Sequence, residues 1–206
     1  MRRILLLAAA LTAFALVGIA SAAKPAVVTI SLARPAVVYG GSVKLSGTVS
    51  NHQAGEVVTV LGRQYGTTGF IPLNVVTTTA KGAWSYVASP VIQTSYEAHW
   101  GAASSRMVNV KVRPRIRLSL QSRTANRGTF SVVVDGNHPF TGKRVLVQRL
   151  TTTGPATVKS VKLDGASSAT FTLRVPKHNA RVRVVMSSAQ AAPGYIGGYS
   201  NVWKSS

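Results

Sequence analysis

The sequence contains no cysteine and only four acidic residues, Glu56, Glu97, Asp135 and Asp164. Without cysteine there is no disulfide to support a thin core, and no thiolate can act as a nucleophile or metal ligand. Four scattered carboxylates exclude the clustered oxygen ligands that a calcium site needs. A glycoside hydrolase needs two carboxylates in one cleft, whereas strand parity predicts that Glu56 and Glu97 both point outward.

Other catalytic patterns are equally scarce. The four histidines lie singly, without the His-x-His or His-x-x-x-His spacing of a metal site. No Gly-x-Ser-x-Gly elbow and no glycine-rich phosphate loop followed by lysine occurs. The sequence therefore predicts no enzyme, no catalytic or metal-binding residues and no cofactor.

Only one long apolar run exists, at residues 4–20, directly after Met1, Arg2 and Arg3. Residues 20–24 then read Ala-Ser-Ala-Ala-Lys. A basic start, an apolar middle and small residues before a polar one are typical of a secretory signal peptide. We therefore expect residues 1–23 to be removed and the protein to be extracellular or in the cell envelope. An uncleaved N-terminal anchor is the alternative, since the run is long enough to span a bilayer.

Charge is strongly one-sided, with 24 basic residues and a net charge of +20. Residues 24–112 carry a net charge of +5, whereas residues 113–206 carry +13. Such a field favours association with polyanions, but it also serves solubility alone, and the sequence leaves both interpretations open.

After the signal peptide, short runs alternate between apolar and polar residues, and glycine-rich or Asp-Gly turns separate them. Examples are Val43, Leu45 and Val49 in one half, and Phe130 and Val132 in the other. Alternation with a period of two predicts strands with one buried face. The buried residues should include Val43, Leu45, Val58, Trp84, Tyr86 and Tyr96 in the first half, and Phe130, Val132, Val145, Val147, Phe171 and Val182 in the second. About seven such runs per half predict an all-β fold of two tandem β-sandwiches.

The two halves repeat each other at a nearly constant spacing. Gly41 and Gly128 are 87 residues apart, as are Gly55 and Gly142. We therefore predict one sandwich domain at residues 24–112 and a diverged, strongly basic copy at residues 113–206. Because the junction around Pro114 contains no glycine or serine, we expect a stiff rod.

The first half resembles the immunoglobulin-like tandem repeats of bacterial surface and secreted proteins. The motifs that carry the resemblance are residues 40–49, GGSVKLSGTV; residues 54–60, AGEVVTV; residues 81–86, KGAWSY; and residues 95–98, SYEA. In the second half Ala169 stands at the Trp84 position and Val134 at the Gly47 position. The resemblance implies an immunoglobulin-like sandwich used for spacing, adhesion or polymer binding, without catalysis and without fixed binding residues.

Strand parity places several arginines on exposed faces of the second half. Arg144, Arg181 and Arg183 should share one face, on the sheet formed by the third and sixth strands. Arg115 and Arg117 should point outward from the other sheet, near Arg174. Guanidinium groups bind phosphate and carboxylate in a forked geometry, so these five arginines are candidates for polyanion binding.

The loop Gly194-Tyr195-Ile196-Gly197-Gly198-Tyr199 is unusual for its glycines and tyrosines. We expect either two exposed rings, Tyr195 and Tyr199, that contact a sugar or peptide, or a turn that packs against the sheet edge.

The sequence thus predicts a structural, spacer or adhesion protein of the cell surface. Its alternatives are an envelope protein that binds polyanions through a basic face, and a carbohydrate-binding accessory module. The expected partners are anionic envelope polymers, polysaccharide or another surface protein. Nucleic acid is disfavoured, because no platform of aromatic side chains is present for stacking bases.

Overall fold

A computed structural model describes residues 25–176 and 178–205. The predicted signal peptide, residues 1–23, lies outside this part of the chain. Nearly all of the described elements are strands, apart from the 3-10 turn Ala80–Gly82 and the helix α1 (Ser188–Ala191). Within the described ranges, no helix has the length and apolar character needed to cross a membrane.

The first half forms two antiparallel sheets. Its strands are β1 (Ser31–Leu32), β2 (Ala36–Val38), β3 (Val43–Thr48), β4 (Val57–Gln64), β5 (Ile71–Thr77), β6 (Ala83–Ala88), β7 (Thr94–Trp100), β8 (Ala103–Ser104) and β9 (Val108–Arg113). One sheet has the order β1-β3-β6, and the other has the order β2-β9-β7-β4-β5 with β8 paired to β7. Only the short β2–β9 pair is parallel.

The second half repeats this arrangement. Its strands are β10 (Arg115–Thr124), β11 (Arg127–Asp135), β12 (Arg144–Thr151), β13 (Gly154–Lys162), β14 (Ser168–Arg174), β15 (Arg181–Met186), β16 (Gly198–Tyr199) and β17 (Trp203–Lys204). The sheets are β10-β11-β14 and β13-β12-β15-β16, with β17 also paired to β15. The predicted fold class of two immunoglobulin-like β-sandwiches is confirmed. The chain passes between them at Pro114, and the domain limit after residue 112 stays a prediction.

Matching backbone hydrogen bonds show which residues of the two sandwiches are equivalent. Gly55 donates its N–H to the Thr78 carbonyl at 2.9 Å, and Gly142 donates to the Leu163 carbonyl at 3.0 Å. Both glycines have a positive φ, of 86° and 78°. The left-handed backbone that glycine adopts without strain is thus needed at the same turn in both copies. This part of the predicted repeat is therefore correct.

The spacing of 87 residues does not hold along β3 and β11. Val49 donates to the carbonyl of Gly82, and Val134 donates to that of Ser167, both at 3.0 Å. Val134 thus matches Val49, at a spacing of 85 residues, and not Gly47 as the sequence suggested. The reason is that the loop that follows these valines is two residues longer in the second copy.

The same shorter spacing moves another predicted equivalence. Leu45 is paired with Tyr86 and Phe130 with Phe171, so β3 and β11 are related by 85 residues. Gly128 therefore matches a strand residue two positions after Gly41, and the equivalence of those two glycines was wrong.

Each sandwich buries an apolar core between its sheets. The predicted residues Val43, Leu45, Val58, Trp84 and Tyr96 of the first sandwich are buried, as are Phe130, Val132, Val145, Val147, Phe171 and Val182 of the second. Tyr86 is only partly buried, which corrects its predicted place in the first core. Two cores of this kind account for folding without disulfides.

The Trp84 ring occupies the inner face of the first sandwich directly opposite Gly47. The two residues are partners across β3 and β6. A Cβ on Gly47 would lie 2.8 Å from Trp84 Nε1 and would also collide with the Thr29 carbonyl oxygen. In the second sandwich the corresponding partners are Val132 and Ala169. The large Trp84 ring opposite glycine is thus replaced by alanine opposite valine.

We expect Trp84→Ala to lower the free energy of unfolding by about 3–5 kcal/mol, because it removes a large ring that is only 3% exposed. Ser85→Ala, at the next and exposed position of β6, is the control and should change it by less than about 0.5 kcal/mol. Chemical denaturation followed by far-UV circular dichroism measures both. Equal effects of the two substitutions would mean that the Trp84 ring does not support the core.

Candidate functional site

The two carboxylates of the first sandwich have separate polar partners. Glu56 accepts a hydrogen bond from Trp100 Nε1 at 2.7 Å and another from Asn51 Nδ2 at 2.8 Å. Glu97 lies 3.6 Å from His99 Nε2 on the surface of β7. These contacts engage the Glu56 carboxylate in fixing a loop, and they offer no acid and base on either side of a cleft.

The carboxylates of the second sandwich are also engaged locally. Asp135 forms an ion pair with Arg117, with 3.0 Å between Oδ2 and Nη2. Asp164 accepts hydrogen bonds from the backbone and hydroxyl of Ser168 and from the backbone of Ala166. The Ser168 backbone bond, followed by its hydroxyl bond, holds the pKa of Asp164 below its usual value. In residues 25–176 and 178–205, no three histidines or carboxylates come together as a metal site.

Arginine side chains dominate one face of the second sandwich. Arg144 lies on β12 and Arg181 and Arg183 lie on β15, and these strands are neighbours in one sheet. Arg144 and Arg181 are exposed, whereas Arg183 is half-buried. The predicted placement of the three arginines on one sheet is therefore correct. Their use in binding stays a prediction.

The three arginines stand at different levels of the sheet. Arg183 lies opposite Gln148, four positions along β12 from Arg144. At a rise of about 3.3 Å per residue, these levels of the sheet are roughly 13 Å apart. The arginines therefore form a line that runs along the strands, and this arrangement suits an extended ligand better than a single ion.

Two lysines that sequence reasoning missed extend this line. Lys162 on β13 is the cross-strand partner of Arg144, and Lys204 on β17 is that of Arg181. Cross-strand partners share a face of the sheet, so all five cations point outward together. We call Arg144, Lys162, Arg181, Arg183 and Lys204 the basic face. Strands β12, β13, β15, β16 and β17 carry no acidic residue.

Arg183 contacts two neighbouring side chains, Gln148 and Tyr199. Its Nε donates to Gln148 Oε1 at 3.0 Å. Its guanidinium carbon lies 5.7 Å from the centroid of the Tyr199 ring. A cation over an aromatic ring is attracted to it, so the ring and the amide together hold this side chain in place.

The other two candidate arginines, Arg115 and Arg117, contact other residues of the protein. Arg115 and Arg117 lie on β10, in the other sheet, and both are exposed as expected. However, Arg117 is neutralised by the ion pair with Asp135. The Arg115 guanidinium lies against Gly40 of the first sandwich, in the space that a Cβ there would fill. These two side chains therefore contribute less to a basic surface than the basic face does.

The expected proximity of this pair to Arg174 was wrong. Arg115 is the partner of Asp135 at one end of β11, whereas Arg174 is the partner of Arg127 at the other end. Eight residues of extended strand place the two ends roughly 27 Å apart. Parity alone identified the face but not the position along the strand.

Of the two tyrosines in the glycine-rich loop, only Tyr199 is exposed, at 66%. Tyr195 is 4% exposed, so at that residue the structure has the packed turn and not the exposed ring, the other of the two expectations. Its hydroxyl donates to the Val91 carbonyl at 2.5 Å and accepts the Asn137 backbone N–H at 2.6 Å. Burial raises the pKa of the Tyr195 hydroxyl, because the charged phenolate would lose its hydration.

These contacts belong to a junction between the two sandwiches. Val91 lies in the first sandwich, so the Tyr195 hydroxyl joins the second sandwich to it. The Gln93 N–H donates to the Gly194 carbonyl at 3.0 Å, and the Ile196 N–H donates to the Val112 carbonyl at 2.9 Å. The Arg113 guanidinium also donates to the Gly197 carbonyl.

Apolar packing closes the same junction. A Cβ on Gly194 would lie 2.5 Å from Ile92 Cδ1, and the φ of Gly194 is 75°. Only glycine therefore fits this turn without strain. Phe140 and His138 pack on the other side of the Tyr195 ring, with centroids 5.5 Å and 5.3 Å away. The glycine and tyrosine content of the loop was the signal for this contact in the sequence.

Comparison with known proteins finds only distant likeness. Four tandem repeats from the extending region of a large adhesion protein match 88% of this chain and 49% of their own, with 13% identity and a TM-score of 0.38. This chain thus spans about half the length of that structure. Two marsupial T cell receptor structures match 89% and 87% of this chain and 100% of their own, with 11% and 10% identity and a TM-score of 0.34. No protein-family profile and no curated protein matches the sequence.

We expect Tyr195→Phe to lower the free energy of unfolding by about 1–3 kcal/mol, because it removes two part-buried hydrogen bonds, one to the Val91 carbonyl and one from the Asn137 N–H. Tyr199→Phe removes the same atom from an exposed ring and is the matched control. Urea denaturation at neutral pH measures both. A Tyr195→Phe variant as stable as the control would show that the junction does not depend on this hydroxyl.

Proposed function

We propose that this chain is a non-enzymatic structural protein, exported to the bacterial cell surface or envelope, in which two immunoglobulin-like sandwiches form one stiff spacer. Spacing or adhesion needs a defined distance between the ends of the molecule and no catalytic site. The all-β architecture supports this proposal, as does the engagement of all four acidic side chains in local contacts.

The observation that carries the proposal is the junction around Tyr195. Sandwiches joined by a single segment usually move relative to each other unless a substantial interface holds them. Here the linker residue Pro114 is buried, and side-chain and backbone hydrogen bonds cross between the sandwiches. Each bond fixes the loop before β16 against the end of the first sandwich. The expected mechanical result is a rod with little bending at its centre.

The absence of native cysteine allows a direct test with two spin labels. Ser85→Cys and Thr170→Cys place labels at exposed, equivalent positions of β6 and β14. We expect double electron–electron resonance to give a narrow distance distribution. Adding Gly194→Val should broaden it, because the new side chain collides with Ile92 and disrupts the junction.

Gly142→Val is the control for backbone strain. Gly142 has a φ of 78°, close to the 75° of Gly194, but a Cβ there meets only Lys162 at 3.8 Å. This control should leave the distance distribution narrow. A broad distribution in the unaltered junction would contradict the stiff-spacer proposal, and so would a Gly194→Val distribution as narrow as that of the control.

A second candidate function is attachment to anionic polymers of the envelope. The specific observation in its favour is the basic face, where five cations point outward on strands that carry no acidic residue. Clustered like charges of this kind raise the local concentration of a polyanion. Arg183 is held in place by Gln148 and Tyr199, which lowers the entropic cost of using it in binding.

We expect the combined substitution of Arg144, Arg181 and Arg183 by Gln to weaken binding to immobilised inorganic polyphosphate at least tenfold at low salt, since three charge-assisted contacts are lost. The control substitutes Gln for Lys44, Lys81 and Arg106, which are exposed on the first sandwich. It removes the same net charge.

Wild-type binding should also fall steeply as salt rises, because the Debye length shrinks from about 10 Å at 0.1 M to about 3 Å at 1 M. Equal losses in the two triple variants would show that net charge alone drives binding. Binding that persists at high salt would contradict an electrostatic attachment.

A further inference from the structure

A small cleft opens on the side of the junction next to the basic face. The edge strand β2 of the first sandwich, the linker and the edge strand β16 of the second enclose a cleft of about 210 Å³. Its main lining residues are Arg34, Val38, Arg113, Pro114, Gly198 and Tyr199. Both sandwiches therefore contribute to one site, which neither would form alone.

Tyr199 connects this cleft to the basic face. It is the cross-strand partner of Val185, on the same strand as Arg181 and Arg183. Its ring is 66% exposed, which is unusual for a large aromatic side chain beside a buried junction. Since the Arg183 guanidinium lies 5.7 Å from the ring centroid, ring and cation form one continuous surface. An exposed aromatic ring with a polar hydroxyl is typical of a binding contact.

The cleft itself carries positive charge and no negative charge. Arg34 is exposed, and Arg113 is half-buried with its guanidinium bound to the Gly197 carbonyl. No acidic side chain is among its lining residues, which all belong to the described part of the chain. A ligand in this cleft therefore needs a flat face that can lie against the Tyr199 ring, and anionic groups beside that face that can reach Arg34 and Arg113.

The dimensions indicate a unit of a polymer and not a free small molecule. Pockets for drug-sized ligands usually measure about 300–1,000 Å³, so a cleft of about 210 Å³ encloses only one small ring. Beyond the cleft, the line of Arg183, Arg181 and Lys204 continues across the sheet. A chain with regularly repeated carboxylates would meet this line, since guanidinium groups bind carboxylates in a forked geometry.

We propose that the junction cleft and the adjoining basic face bind a carboxylated polysaccharide. One sugar ring of the polysaccharide lies against Tyr199, and the carboxylates of the polymer bind the arginines. This assignment rests on the second candidate function and specifies its ligand. Tyr199 is the one aromatic side chain among the residues that line the cleft, which favours sugar over single-stranded nucleic acid, because nucleic acid needs several aromatic side chains for successive bases.

The test compares two polyanions, polygalacturonate and inorganic polyphosphate, because only the first contains sugar rings. Tyr199→Ala should weaken binding of polygalacturonate about five- to tenfold, as expected for loss of an aromatic contact. Polyphosphate binding should fall by less than about twofold, because Arg183 loses its contact with the ring but keeps its hydrogen bond to Gln148. Tyr199→Phe, which keeps the ring, should bind both as the wild type does. Titration of the full chain by isothermal calorimetry or biolayer interferometry at low salt measures these affinities.

Arg34→Gln tests the contribution of the first sandwich and should also weaken polygalacturonate binding. Its control is Arg127→Gln, an exposed arginine at the far end of β11. If Tyr199→Ala affects binding of both polyanions equally, or of neither, the cleft is not a sugar site. Polyphosphate binding that still depends on Arg144, Arg181 and Arg183 would then support the basic face as a polyanion site without the cleft. A wild type that fails to bind polygalacturonate overturns the proposal, as does oligothymidine binding with the same dependence on Tyr199.

Discussion

The hydroxyl of Tyr195 joins the two sandwiches and, together with the backbone hydrogen bonds of the same loop, fixes how they meet. It reaches the Val91 carbonyl of the first sandwich while it accepts a backbone N–H of its own sandwich at Asn137. A buried hydroxyl with two partners is stable, whereas either partner left alone would cost desolvation energy. The junction therefore favours one relative placement of the sandwiches, and the cleft beside Tyr199 exists only in that placement.

The repeat has been preserved in the backbone more closely than in the cores. Equivalent hydrogen bonds at Gly55 and Gly142 hold the same turn in both sandwiches. The inner faces differ, because Trp84 opposite Gly47 is replaced by Ala169 opposite Val132. The Val132–Ala169 pair has the smaller volume, and the stacked rings of Phe130 and Phe171, 5.7 Å apart, fill part of that core, so the two copies retain one topology with different side chains.

On β12 and β15, the valines of the core and the cations of the basic face lie on opposite faces of the sheet. Alternation along β12 and β15 buries Val145, Val147, Val182 and Val184 and turns the intervening cations outward. Because the few carboxylates are engaged elsewhere, nothing on these strands neutralises the cations. The strands of this sheet thus present cations and no carboxylate on their outer face, beside the hydrogen-bonded junction with the first sandwich. The proposed attachment to an anionic polymer depends on this combination.

The fold class and the shared sheet of Arg144, Arg181 and Arg183 could be predicted from the sequence, because strand alternation is a local property that parity preserves. The position of a residue along its strand could not be predicted, and Arg174 was therefore placed beside Arg115. Gly41 was matched with Gly128 because the difference in loop length between the two copies was not visible in the sequence. The burial of Tyr195 and the cation pairs with Lys162 and Lys204 were also decided only by tertiary structure. These features depend on register and on contacts between distant segments, which no local pattern encodes. The sequence by itself determined two basic sandwiches of unequal net charge, and their packing against each other decided which side chains remain exposed.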